Sequence, residues 1–214
     1  MHIDLREIPA VYINLPRHTE KNESMQTLLR ECGFRYTIRV DGVNRPDNPI
    51  AGASAAHYRA LGEIAPPFIL FEDDCRLKYF RPEITIPNDA DAVYLGVSRW
   101  GRMNAHSGHC VEWERVDEEL LRIYNMLSIH AVLYLNNDYT TLCRKIAHHA
   151  GYVIENYVDI GIAEIQRWFK VYAFNNPFFY QTSNYHATIN PLTSYDNRPI
   201  LTYEKETFYP QKVR

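Results

Sequence analysis

Short apolar runs and a segment with helical spacing alternate over the first forty or so residues. Ala10–Leu15 is apolar and is followed by a proline, which predicts a first strand. Apolar residues then recur at helical spacing, so we expect a helix from Thr19 to a glycine stop at Gly33. Phe34–Val40 alternates apolar and polar residues, which predicts a second strand. This strand–helix–strand order is typical of the parallel βαβ unit of an α/β protein.

Beyond this unit, strand and helix patterns continue to alternate. An alanine-rich helix is predicted at Ala51–Ile64, directly before a buried strand at Phe68–Phe71. Further strands are predicted at Asp91–Val97, Tyr124–Leu135 (one strand or two) and Val171–Phe174, and further helices at Thr140–Ala150 and Asp159–Phe169. The polar, glycine-containing Ser98–Gly108 predicts a surface loop. Residues 175–214 lack periodicity but contain many aromatic residues, which predicts a tail that wraps over the domain.

Composition narrows the function classes. With 214 residues the chain suits one domain, and its formal net charge of −3 gives no reason to expect a nucleic-acid partner. No apolar run approaches the roughly 20 residues that span a bilayer, and the N-terminus lacks a signal-peptide core, so we expect a cytoplasmic protein. The four cysteines, Cys32, Cys75, Cys110 and Cys143, form no CxxC pair. Reduced, buried thiols are expected rather than a zinc or redox site.

The strongest chemical signal is an acidic triplet at the end of a predicted strand. The apolar run Phe68–Phe71 ends in Glu72, Asp73 and Asp74. Like charges held side by side repel one another unless water or a cation compensates. Carboxylates suit Mg²⁺ or Mn²⁺, and the carboxyl ends of strands are where open α/β sheets bind ligands. A metal site and a solvated turn are both compatible with these residues.

The order of motifs around the triplet resembles that of the GT-A glycosyltransferases, and within them the lipopolysaccharide-type glycosyltransferases of family 25. The matching stretches are Val11–Leu15 with Arg17, Val40–Gly42, Ser54 with His57, Phe68–Asp74, Val93–Gly96 and Ile129–Tyr134. They are similar to the family's INLxR, xDG, SH, LEDD, YLG and HAY series, although two alanines separate Ser54 from His57. The likeness covers most of residues 10–185 and extends to glycosyltransferase domains of large algal viruses.

This resemblance implies a fold and an activity. The fold would be a single GT-A (Rossmann-like) domain over residues 1–214, with a mainly parallel sheet flanked by helices. Residues 8–100 would form the nucleotide-binding half, and residues 101–214 the acceptor-binding half. The activity would be transfer of a sugar from a nucleotide-sugar, a UDP-sugar by analogy, to a hydroxyl of a glycan acceptor with inversion. For a viral protein the expected location is the host cytoplasm.

The resemblance also implies the site residues. The nucleotide-sugar would be bound by Asn14, Leu15, Arg17, Asp41, Ser54, His57 and Asp73. Glu72, Asp74 and His186 would hold Mn²⁺ or Mg²⁺, which would neutralise charge on the leaving diphosphate. Trp100, in the predicted loop, is expected to stack on a donor or acceptor sugar ring. The structural alternatives are a solvated charge for Arg17, turn chemistry for Asp41 and a surface position for His186.

An inverting transfer needs a carboxylate that takes the proton of the acceptor hydroxyl. Asp159 is the candidate base, while Glu155, Glu164 and a simple helix-capping role for Asp159 are the alternatives. A retaining enzyme would not need this base. Two other function classes compete. A nucleotidyltransferase-type Mg²⁺-phosphate enzyme would use the same acids, although the chain has no GxxxxGK[ST] or GxGxxG loop. In a non-catalytic carbohydrate-binding protein the acids would be surface charge.

Overall fold

The computed structural model describes residues 1–98, 100–108, 110–182 and 194–195. Its helices are α1 (Thr19–Glu31), α2 (Pro49–Ala60), α3 (Asn137–Tyr152) and α4 (Val158–Ile165), with 3-10 helices at Leu5–Glu7 and Gln166–Trp168. Its strands are β1 (His2–Asp4), β2 (Ala10–Asn14), β3 (Thr37–Asp41), β4 (Phe68–Glu72), β5 (Cys75–Leu77), β6 (Glu83–Thr85), β7 (Ala92–Tyr94), β8 (Gly101–Met103), β9 (His106–Gly108), β10 (Trp113–Arg115), β11 (Leu120–Ile123), β12 (Ala131–Tyr134), β13 (Val171–Phe174), β14 (Phe179–Thr182) and β15 (Ser194–Tyr195).

The central sheet of the described residues has eight strands in the order β10-β11-β13-β7-β12-β4-β2-β3. Strand β2 pairs in parallel with both β3 and β4, and β7 pairs in parallel with β13. Strand β12 lies antiparallel between β4 and β7, and β10 and β11 add further antiparallel pairs. The predicted α/β fold with a central sheet and flanking helices is confirmed. The prediction of a mainly parallel sheet is wrong, because four of the seven strand pairs in this sheet are antiparallel and three are parallel.

Two apolar clusters cover the two faces of the sheet. Phe68 and Leu70 belong to a cluster that also contains buried residues of α2, α3 and α4. Ile69 and Phe71 belong to a second cluster, which contains the buried residues of α1. Successive side chains of a strand point to opposite faces, so a strand covered on both faces must be apolar at every position. This explains why β4 is a continuous apolar run up to Glu72.

The packing of α2 against α3 brings distant parts of the chain to the carboxyl ends of the central strands. Helix α2 begins at Pro49, where the Asn48 side chain accepts a hydrogen bond from the Ala51 N–H (3.1 Å). At the helix crossing, a Cβ on Gly151 would lie 2.6 Å from the Ala55 nitrogen, so the two backbones touch. This close approach holds the segment before α4 against the first turns of α2.

Several predicted segments differ from the structure. The predicted strand Phe34–Val40 begins only at Thr37, and residues 34–36 form an irregular connection after the turn that ends α1. The predicted loop Ser98–Gly108 contains the antiparallel pair β8–β9. The predicted strand Val171–Phe174 is correct, but β14 follows it and pairs with β5. Part of the predicted tail is therefore a strand, which brings its residues next to the end of β4.

Two expectations from composition concern the cysteines and the membrane. All four cysteines are buried, as predicted. Burial raises the pKa of the Cys32 thiol to about 12, which keeps that thiol neutral. Among the helices of the described ranges, none is both long enough and apolar enough to cross a bilayer.

Candidate active site

A cleft of about 720 Å³ opens at the carboxyl ends of β2, β3 and β4. The first turns of α2, the segment before β12 and the start of α4 form its other walls. Among the predicted site residues, those that line it are Leu15, Arg17, Ser54, His57, Glu72, Asp73, Asp74, Trp100 and Asp159. Its position follows the general rule for ligand sites in open α/β sheets, and its volume is typical of a small-molecule site.

Glu72 and Asp74 point towards one common partner. The Nε2 atom of Gln181, on β14, donates hydrogen bonds to Glu72 Oε2 (2.8 Å) and to Asp74 Oδ2 (3.1 Å). The two carboxylates therefore lie on the same side of the chain, as their spacing of two predicts. Gln181 was not identified from the sequence, because nothing in the non-periodic segment after β13 distinguishes it.

The two carboxylates have opposite pKa shifts. Burial and the nearby Glu72 carboxylate raise the pKa of Asp74 to about 8. Burial opposes the ionisation of Glu72 as well, but the hydrogen bond from His57 Nε2 (2.9 Å) and the attraction of that ring lower its pKa overall. Such a split is expected when two acids share a poorly solvated site. Without a cation, one member of the pair is ionised and the other tends to hold a proton.

The donor atoms at this point suit a hard divalent cation. Carboxylate oxygens are the ligands that Mg²⁺ and Mn²⁺ prefer, and Mg²⁺ is commonly bound by one or two carboxylates together with substrate phosphates. Within the described ranges, no group of three or more His, Cys, Asp or Glu side chains is arranged to hold a metal. His186, the third predicted ligand, lies outside the described residues. Glu72 and Asp74 could therefore supply two oxygen ligands to such a cation.

Asp73, predicted to contact the donor, bonds to two protein groups instead. Its Oδ2 accepts from Asn14 Nδ2 (2.9 Å), and its Oδ1 accepts from Lys21 Nζ (2.8 Å). Lys21 and His18 also line the cleft, although the sequence analysis did not identify them. Both belong to the start of α1, where helical spacing places them on the side that faces the triplet. The cleft thus has a cationic wall beside its acidic pair.

Three other predicted residues lie outside the cleft or have structural contacts. The Asp41 side chain is 65% exposed, pairs with Arg39 (3.0 Å) and does not line the cleft. Asn14 is fully buried beneath Asp73 and does not line the cleft either. Ser54 is also buried, and its hydroxyl donates to the Asn156 carbonyl (2.7 Å), which joins α2 to the segment before α4. Asp41 is the last residue of β3, so the turn alternative does not describe it either.

Asp159 lies in the first turn of α4 and lines the cleft. Its Oδ2 accepts a hydrogen bond from the Ser128 N–H (3.1 Å), and burial raises its pKa despite that bond. Asp159 is not the N-cap of α4, which is Tyr157, but its carboxylate also accepts a hydrogen bond from the Ile160 N–H in the first turn of that helix. The other candidate bases, Glu155 and Glu164, do not line the cleft. They pair with Arg45 and Arg102 respectively.

Ser128 links Asp159 to the acidic pair. Its φ of 71° lies in the left-handed region, which is unusual for serine and costs about 1 kcal/mol or more. While its N–H bonds to Asp159, its hydroxyl lies 2.8 Å from His130 Nδ1 and 3.3 Å from Gln181 Oε1. Burial lowers the pKa of His130 to about 4, so this ring is neutral. Ser128, directly before the predicted Ile129–Tyr134 motif, thus forms with Gln181 a hydrogen-bond bridge across the site.

Comparisons with known proteins identify no family for this chain. No protein-family model and no curated protein matches the chain. Among solved structures, the CTP:phosphocholine cytidylyltransferase from Streptococcus pneumoniae (LicC) is similar, with 11% sequence identity and a TM-score of 0.43. The match covers 82% of this chain and 93% of that chain. At this TM-score the likeness carries no argument about function.

Proposed function

We propose that the protein is a metal-dependent glycosyltransferase that moves a sugar from a nucleotide-sugar donor, a UDP-sugar by family resemblance, to a hydroxyl of a glycan acceptor. One observation carries the proposal. A single cleft at the strand ends contains the acidic pair Glu72 and Asp74 together with the half-buried carboxylate of Asp159. A metal-dependent inverting transfer requires a cation beside the leaving diphosphate and a base for the acceptor hydroxyl. The acidic pair would hold the cation, and Asp159 would be the base.

The donor end of the cleft is suited to a diphosphate. Mn²⁺ or Mg²⁺ held by Glu72 and Asp74 would supply positive charge for the leaving diphosphate. Arg17, His18 and Lys21 line the same region and would contact phosphate oxygens. Lys21 Nζ pairs with Asp73 Oδ1 (2.8 Å), and a bound phosphate would compete for this lysine.

The acceptor end contains the base and aromatic side chains. The acceptor oxygen would form a bond to the anomeric carbon while the bond from that carbon to the donor phosphate oxygen breaks. The hydroxyl proton would pass to Asp159, which the Ser128 N–H holds in position. Trp100 and Tyr157 line this part of the cleft and offer ring faces on which a sugar can stack.

The rival nucleotidyltransferase class would use the same acidic pair for attack on phosphorus and would release pyrophosphate. It gives Asp159 no necessary role, because the attacking phosphate of such a reaction is already ionised. The position of Asp159 in the cleft, held by the N–H of the strained Ser128, therefore favours the glycosyltransferase. A binding protein would need neither the metal nor the base.

Thermal-shift titration tests the proposed donor site. We expect one nucleoside diphosphate, UDP first, to raise the melting temperature in the presence of Mn²⁺. Saturation at a hundredfold excess over Kd corresponds to about 2.7 kcal/mol, which for a protein of this size is a shift of about 5–10 °C. UDP, GDP, CMP and dTDP would be compared, each with Mn²⁺ and each with EDTA.

The EDTA series is the control for metal-independent binding. A shift of equal size with and without Mn²⁺ would remove the metal from the proposal. No shift with any nucleotide would contradict the proposed donor site as a whole.

A further inference from the structure

A second cavity, of about 530 Å³, lies at the opposite end of α2 from the cleft. It is formed by the last turn of α2, the segment 61–66 before β4 and one face of α3. None of the residues that line it also lines the candidate active site. It is therefore a separate feature of the molecule, to which the proposed transfer reaction gives no role.

All the ionisable side chains of α3 that line this cavity are basic. Arg144, Lys145 and His148 of α3 line it, together with the polar side chains of Asn137 and Thr141. No acidic residue is among its lining residues. Within the part of the chain that the structure describes, no carboxylate pairs with Arg144 or Lys145.

Arg144 is held in place by three features of the fold. Its guanidinium carbon lies 4.6 Å from the centroid of the Tyr58 ring, a cation–π contact. Its Nε donates to the Tyr58 carbonyl oxygen (3.4 Å). Gly62 leaves the space that the guanidinium occupies, because a Cβ there would lie 2.5 Å from Arg144 Nε. The fork of terminal N–H groups is thus preorganised beside the cavity.

We propose that this cavity binds a phosphate group. A guanidinium with a fixed plane matches the oxygens of phosphate with two parallel N–H donors, which a mobile surface lysine cannot do. Lys145 adds a second positive charge, and the hydroxyl of Thr141 can donate to a further oxygen. The ligand is either a free inorganic anion or the phosphate of a larger ester.

Residue-resolved NMR with inorganic phosphate tests the site directly. At constant pH and ionic strength, we expect saturable shifts of the Gly62 and Thr141 amide signals. Arg144→Gln should weaken the affinity at least about tenfold, since a hydrogen bond to a charged group contributes about 1.5–3 kcal/mol. Arg144→Lys should also weaken binding, because it keeps the charge but loses the fork. Arg59→Gln is the matched control, an exposed arginine next to Tyr58 that does not line the cavity.

The outcomes that overturn the proposal are specific. Absence of saturable shifts at Gly62 and Thr141, or equal affinity in the wild type and in Arg144→Gln, would each refute it. Phosphate that binds only in the active-site cleft would shift Gly42 instead, which also counts against the second site. A parallel titration with glucose 6-phosphate separates the two sources. A higher affinity for glucose 6-phosphate than for inorganic phosphate would indicate an ester ligand, and equal affinities would indicate the free anion.

Discussion

Asp74→Asn is expected to lower metal-dependent turnover by a factor on the order of 10³ and to abolish the Mn²⁺-dependent thermal shift with nucleotide. The substitution keeps the size of the side chain but removes a charged oxygen ligand. A metal ion that stabilises a leaving group contributes several kcal/mol, and each 1.4 kcal/mol corresponds to a factor of ten in rate. Initial rates at saturating donor, with Mn²⁺ varied, would measure the loss.

The same variant is expected to melt at an equal or higher temperature than the wild type when no metal is present. Burial and the charge of Glu72 raise the pKa of Asp74 to about 8, so an ionised Asp74 is unfavourable in the folded protein. When folding raises the pKa of an acid, the folded protein becomes less stable as the pH rises from the unfolded-state pKa to the folded-state pKa. Asparagine does not ionise and therefore removes this cost. Asp138→Asn, an exposed acid in the first turn of α3, is the charge control. Full metal-stimulated activity in Asp74→Asn would exclude Asp74 as a ligand.

Asp159→Asn is expected to lower kcat by about 10²–10⁴, the usual contribution of a general base. Asparagine can still accept the hydrogen bond from the Ser128 N–H, so the fold should persist. Because the donor diphosphate is bound elsewhere in the cleft, the Mn²⁺-dependent thermal shift with nucleotide should remain. This combination separates loss of the base from loss of the donor site.

Glu164→Gln is the matched control, since it removes a carboxylate from the same helix. The Glu164 side chain is 54% exposed, pairs with Arg102 and does not line the cleft, so kcat should change little. If Asp159→Asn kept the wild-type kcat, no base would be needed and a retaining mechanism would replace the inverting one. If Glu164→Gln caused the large loss instead, the assignment of the base would be wrong.

The fold was predictable wherever local pattern and tertiary packing agree. Strand β2, helix α1 and strand β4 appear close to their predicted positions, because each has an apolar pattern that only one packing arrangement satisfies. Gly33, with a φ of 78°, ends α1 in the left-handed conformation as expected. The short strands β5, β8, β9 and β10 were not predicted. Their residues alternate weakly, and only pairing with distant segments makes them strands.

The site was predictable as far as residues adjacent in sequence define it. The acidic triplet is recognisable in the sequence because three acids follow a buried strand. The structure places Asp159 in the same cleft. No sequence pattern distinguishes Lys21 or Gln181 as site residues. Lys21 reaches the triplet through the orientation of α1, and Gln181 through the pairing of β14 with β5. Such contacts arise from tertiary packing, which a single sequence does not specify.

Phosphorus NMR of the reaction products tests the central claim most directly. The protein would be incubated with Mn²⁺ and either nucleotide-sugars, UDP-sugars first, or nucleoside triphosphates with sugar 1-phosphates. The account predicts release of a nucleoside diphosphate from one nucleotide-sugar, with loss of that signal in Asp74→Asn. Release of pyrophosphate from a triphosphate, or no nucleoside diphosphate from any nucleotide-sugar, would contradict it.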